Sequence, residues 1–174
     1  MGKVGINETM HLSEHMTLGE VTKSRHEGIY NIPSHVAIEN LKRVCEWLEE
    51  LRRRYNERYV FYRNEERSVS PPKLGGEKDT EEPIIITSGY RSPELNKKVG
   101  GSPMSNHLTG CAVDIRVAGI EQAMRYAVIL MDYADETRQD YDELLIERNR
   151  SGGYWLHFAV RPKDNRRKTM FLQK

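Results

Sequence analysis

Two stretches of this chain, CAVDIRV at 111 to 117 and YWLHFAV at 154 to 160, alternate apolar and polar residues with a period of two. Successive side chains of a β-strand point to opposite faces, so each stretch is read as a strand with one face in a core. Cys111, Val113, Ile115 and Val117 then share one face, with Ala112, Asp114 and Arg116 on the other. In the second stretch Leu156, Phe158 and Val160 oppose Trp155, His157 and Ala159. An acid and an imidazole therefore stand on the faces that the core does not claim.

A third short strand, ELLIE at 143 to 147, precedes the second stretch, and IIIT after Pro83 reads as a brief buried one. The rest of the pattern is helical. Thr17 and Glu20 have the spacing of a capping box and open a short helix that is expected to end near Gly28. From Ser34 to about Tyr55, Ala37, Leu41, Val44, Leu48 and Leu51 recur every three or four positions, an amphipathic helix with EELRRR on its wet side. Ser92 caps a helix that begins with Pro93 and stops at Gly100 and Gly101, and another helix is expected from Ile120 to Tyr133. Residues 63 to 82 are rich in charge, Pro and Gly without apolar period, and read as a mobile excursion from a single domain of 1 to 174. The expected fold is α+β: a small antiparallel sheet packed on helices by one face, with a functional site on the other.

Composition removes several classes of function. There are 27 basic and 26 acidic residues, so the net charge of +1 makes no general case for nucleic acid or an anionic membrane. The start has no apolar run of signal-peptide length, and no later run approaches a membrane span. Cys45 and Cys111 are expected as free thiols, because two cysteines make no disulfide framework. The expected state is a monomer without nucleic-acid partners and without membrane insertion.

Asp114 and His157 lie on the polar faces of two strands, and His107 sits in a loop where Gly110 permits a sharp approach to the first of them. His, Asp and His make an open three-ligand set suited to catalytic zinc, which activates water and polarises a carbonyl. A histidine at a strand end is also a common structural residue, so the residues by themselves leave both readings open. His11, His15, His26 and His35 fall in the helical front part and are read as surface or cap residues.

The stretch SGYRSPELNKKVGGSPMSNHLTGCAVDI, 88 to 115, followed by WLHFAV, 155 to 160, resembles the zinc D-Ala-D-Ala carboxypeptidase family, whose zinc site the hedgehog signalling domain shares. The likeness is to the small bacterial and phage members made of this domain alone. It rests on Ser105, His107, Gly110, Ala112 and Asp114 in their spacing and on the distant His157. The resemblance implies that His107, Asp114 and His157 hold Zn2+. It further implies that Arg91 grips a substrate carboxylate or the scissile carbonyl, as a fork-shaped permanent cation can, and that Ser105 hydrogen-bonds a substrate terminus.

The general base is where the chain departs from the pattern. Many members carry a glutamate three residues before the last histidine, but here that position is Tyr154. In the members most like this chain a glutamate ends the preceding strand; the match is Glu147, ten residues before His157, with RNRSGG lengthening the turn. Alternation places Leu145 and Glu147 opposite Leu144 and Ile146, hence on the metal side if the latter enter the core. Trp155 is read as a wall of the cleft or as a half-buried core aromatic. The expected activity is hydrolysis of a peptide bond in peptidoglycan stem peptides, of carboxypeptidase or endopeptidase type. The rival expectation is a zinc-bearing binding module without catalysis, as in hedgehog. A substrate outside the cell and the lack of an export signal fit a lysis enzyme of phage type.

Overall fold

A computed structural model describes residues 7–60 and 81–174. Helix α1 is Leu18–Thr22, opened by the expected capping box: Thr17 accepts from the Glu20 amide, and the Glu20 carboxylate accepts from the Thr17 amide at 2.8 Å. It stops well short of Gly28. The Asn31 amide donates to the carbonyls of Thr22 at 2.7 Å and Tyr90 at 2.9 Å, which turns the chain out of the helix and ties it to the segment around Tyr90.

Helix α2, His35–Tyr55, begins at its Ser34 cap as predicted and buries Ala37, Leu41, Val44, Leu48 and Leu51. It runs on into a π-helical turn, Asn56–Val60, which the apolar period did not signal. Most of the charged excursion lies outside the described residues. Its last residue, Glu82, is held by Asn56, whose side chain bonds both the backbone amide and the carbonyl of Glu82, at 2.7 and 3.0 Å.

Strand β1, Ile86–Ser88, starts two residues later than the apolar run suggests. Helix α3, Pro93–Lys98, has the expected Ser92 cap. After a 3-10 turn at Asn106–Thr109 come β2, Ala112–Arg116, and α4, Ile120–Thr137, one turn longer than its sequence pattern implied. Then follow β3, Glu143–Arg148, β4, Tyr154–Ala159, and an unforeseen β5, Lys168–Gln173. The sheet order is β1-β2-β4-β3-β5, antiparallel throughout except that β5 runs parallel to β3.

Helices α2 and α4 cover one face of this sheet. Val113, Ile115, Leu156 and Phe158 are fully buried there, in one apolar cluster that reaches from Leu12 to Val160. Trp47 of α2 meets Phe158 at 5.4 Å and the edge of Tyr133 at 4.8 Å. Cys45 and Cys111 are free and buried. The arrangement is the expected α+β fold, helices on one side and a polar face on the other, and no helix among the described residues is long and apolar enough to cross a membrane.

Candidate metal centre

The pairing of β2 with β4 puts Asp114 directly opposite His157, and the pairing of β4 with β3 puts Leu145 on the other flank of His157. His107 arrives from the 3-10 turn before β2. That turn is capped by Ser105, whose hydroxyl accepts from the His107 amide at 3.3 Å, and it is closed by Gly110 with φ of +73°. A side chain at Gly110 would place its Cβ 2.4 Å from the Ala37 carbonyl oxygen, so the left-handed turn and its seat on α2 both require glycine. One ligand atom each from His107, Asp114 and His157 lies within 4.8 Å of the others.

The two imidazoles are oriented by bonds on their outer nitrogens. His107 Nδ1 lies 2.6 Å from the Gly89 carbonyl oxygen; a carbonyl only accepts, so Nδ1 carries the proton and Nε2 is left bare, 3.4 Å from Asp114 Oδ1. On His157 the roles are reversed. Its Nε2 faces Glu143 Oε2 at 3.4 Å, and its Nδ1 faces Asp114 Oδ1 at 2.9 Å. Gly89 is itself forced, because a Cβ there would come 2.1 Å from the Val21 carbonyl oxygen.

Electrostatics follow from this packing. Burial lowers the His107 pKa and outweighs the pull of Asp114, so this ring is neutral. For His157 burial also acts downward, but hydrogen bonds to Asp114 and Glu143 overcome it and raise the ring to about 9. Asp114 is held far below the usual carboxylate range, burial being outweighed by the two histidines. A neutral imidazole, a second one polarised by a carboxylate and a fixed anion make a donor set that fits a divalent zinc ion. In that assignment His107 Nε2, Asp114 and His157 Nδ1 are the ligands, and binding displaces the Nδ1 proton.

Sequence reasoning missed the outer support. Glu143 is fixed by Asn106 at 3.1 Å, Arg166 at 3.1 Å and Lys168 at 3.4 Å, and its pKa is lowered to about 2, foremost by the His157 hydrogen bond. Behind it Asp142, fully buried, accepts from Arg161, Arg166 and Asn106 at 2.6 to 2.8 Å. Strand alternation was the available signal, since Glu143, Leu145 and Glu147 share one face.

Arg91 donates from Nη2 to Asp114 Oδ2 at 2.6 Å and from Nε to Ser88 at 2.9 Å, which leaves Nη1 without a partner among the described residues. Ser105 serves as the cap just described. Trp155 is half-buried opposite Glu147 and Arg116. Glu147 stands on the same face as His157, yet its buried carboxylate is bound to Lys174 Nζ at 2.7 Å and makes no hydrogen bond to His107, Asp114 or His157.

Residues 74–141 match the Peptidase M15 family model. The matched segment contains Arg91, Ser105, His107 and Asp114 and ends before Glu143, Glu147 and His157, which the fold brings to the same face. No curated protein matches the chain. The match supports a zinc-dependent metallopeptidase of the M15 kind, and the His107, Asp114 and His157 group is a site that could hold its metal.

Proposed function

We propose that this protein hydrolyses a peptide bond in peptidoglycan stem peptides, as a D,D-carboxypeptidase or endopeptidase. The observation that carries the reading is the convergence of His107, Asp114 and His157 with both outer ring nitrogens already engaged. His107, Asp114 and His157 would hold a zinc ion, which when bound would polarise the carbonyl as a Lewis acid and acidify water.

The chain's own residues do the rest. Asp114, gripped by Arg91, keeps its second oxygen from turning away from the ligand group. Arg91 Nη1 meets the negative charge that builds on the substrate oxygen. Glu147 accepts the proton of the attacking water at its carboxylate and returns it to the leaving amine. For that it must part from Lys174, whose side chain is more than half exposed and also lies over the Trp155 ring. Ser105 bonds a substrate terminus and Trp155 walls the cleft. The protein acts as a monomer on a peptide, with neither nucleic acid nor a membrane as partner.

Mass-spectrometric analysis of purified muropeptides, incubated with and without a chelator, tests the reading. Release of a defined fragment that disappears with the chelator supports it; intact muropeptides with the zinc-loaded protein sink it. The Lys174 contact on Glu147 favours one rival, a zinc-bearing module that binds without cleaving. Inertness of a protein that retains its zinc would decide for that rival.

A further inference from the structure

The polar face continues beyond Asp114. Arg116 stands two residues further along β2 on the same side, exposed. Beside it a groove of about 320 Å³ opens between β1, α3 and the segment that follows α1. Lys23, Arg25, Arg91 and Arg116 line it, the exposed Ile85 and Val99 give it apolar surface, and no carboxylate among the described residues contributes to its wall.

Basic and acidic residues are nearly equal in number, and Arg53, Arg54, Arg58, Arg161, Arg166 and Arg167 are each ion-paired. Lys23, Arg25 and Arg116 have no ion-pair partner among the described residues. Basic side chains elsewhere, Lys97, Lys98, Arg138, Arg150 and Lys163 among them, also lack an ion pair among the described residues, but here four cations line one concavity whose wall holds no carboxylate among the described residues. Like charges gathered without a counter-charge cost stability, and they raise the local concentration of anions. The early end of α1 is what brings two of the four there: Lys23 is its C-terminal cap residue, and the following segment leads Arg25 across to β1.

We infer that this groove is a subsite for a carboxylate of the peptide substrate. The inference rests on the peptidase reading and extends it. Arg116 lies about 7 Å along β2 from Asp114, two residues at strand rise. The groove therefore takes an acidic side chain or a free α-carboxylate one or two residues from the bond that is cut. Lys23, Arg25 and Arg116 bind the carboxylate, while Ile85 and Val99, both exposed in the groove wall, receive the aliphatic part of the same peptide. A concavity of this volume accommodates a few residues of peptide, whereas a polyanion would require a long basic track that a net charge of +1 does not supply.

The test uses the full zinc-loaded chain and stem peptides identical except that their carboxyl groups are free, amidated on the side chain, or amidated at the C-terminus. Binding is read by calorimetry and turnover by mass spectrometry. The peptide carrying the recognised carboxylate should bind roughly tenfold to a hundredfold more tightly than its amide, the scale of a charge-assisted hydrogen bond. Which amide loses affinity distinguishes a side chain from a terminus. Arg116→Gln and the pair Lys23→Met with Arg25→Gln should each erase most of that preference without changing zinc content or affinity for the amidated peptide. Arg116→Glu should reverse it toward a peptide bearing an amine at that place. Equal binding of acid and amide by the parent, or a preference that survives in the variants, overturns the subsite. So does tighter, Arg116-dependent binding of a single-stranded oligonucleotide or of anionic phospholipid vesicles. If the parent discriminates acid from amide but cleaves neither, the peptidase reading falls and the carboxylate site stands.

Discussion

The two faces of β2 and β4 are built from interleaved residues of the same strands, yet they are held by different forces. On the helix side Val113, Ile115, Leu156 and Phe158 lose all contact with water, and what matters there is volume and shape. On the other side Asp114, His157 and Glu143 are held by bonds of fixed direction, each nitrogen with its own partner. The first face makes the fold and the second makes the site. The lesson is that a strand pair can carry a directional site because its other face supplies the stability that the site lacks.

Substitutions on the two faces should therefore fail in different ways. The largest effect is expected from His157→Ala, which removes one of the three proposed ligands: zinc affinity should drop by at least about a thousandfold while the fold persists. Metal analysis after gel filtration, with far-UV circular dichroism as control, checks this; zinc retained at one per chain would refute the ligand assignment. On the core face Phe158→Ala should show the converse, a loss of about 4 kcal/mol in denaturant unfolding, the usual cost of deleting a buried aromatic. Zinc affinity of the folded variant should be unchanged.

Asp142 joins the two behaviours, being fully buried and fully bonded. Burial acts to raise its pKa from 3.8, but hydrogen bonds from Arg166 and Asn106 outweigh it and lower the carboxyl to about 2. A depressed pKa contributes stability that is complete above the unfolded value and is lost as pH falls through the folded one. Asp142→Asn should cost about 3 kcal/mol at neutral pH, the lower end for a broken buried ion pair, because Arg166 is half exposed. The gap between parent and variant should close as pH falls from about 4 to 2, which denaturant midpoints measured across that window would show. A gap that stays constant would mean that the charge on Asp142 is not what stabilises the fold.

The same contrast decides what was legible in the sequence. Alternation in 111 to 117 and 154 to 160 signalled β2 and β4 because one face of each strand is wholly buried. Strand β5 gave no such signal, since Met170 and Phe171 are 44% and 54% exposed and none of its positions is buried. The end of α1 was hidden because it depends on Asn31, nine residues beyond Thr22. In the site, His107, Asp114 and His157 stand in a recognisable spacing, and the structure brings them together. Glu143 was overlooked because its importance arises only when β3 pairs with β4 and sets it diagonally across from His157. Alternation alone could place Glu143 and Glu147 on one face, but it could not tell which carboxylate would reach the ring and which would meet Lys174.

The division between those two glutamates gives the smallest and most discriminating prediction. Glu143 accepts from His157 Nε2 through one oxygen while Arg166 and Lys168 hold the other. In Glu143→Gln the single remaining oxygen is drawn to the two cations, and the amide nitrogen turns toward His157, where it donates to Nε2. A ring that accepts at Nε2 carries its proton on Nδ1, the nitrogen that faces Asp114. Zinc affinity, read by competition with a chromophoric chelator, should fall about tenfold to a hundredfold, the range for loss of an outer partner of a metal-bound histidine. Glu147→Gln should leave that affinity unchanged and lower turnover instead. If Glu143→Gln binds zinc as the parent does, orientation of His157 by Glu143 is refuted. If Glu147→Gln weakens zinc, Glu147 belongs to the metal's support and not to proton transfer.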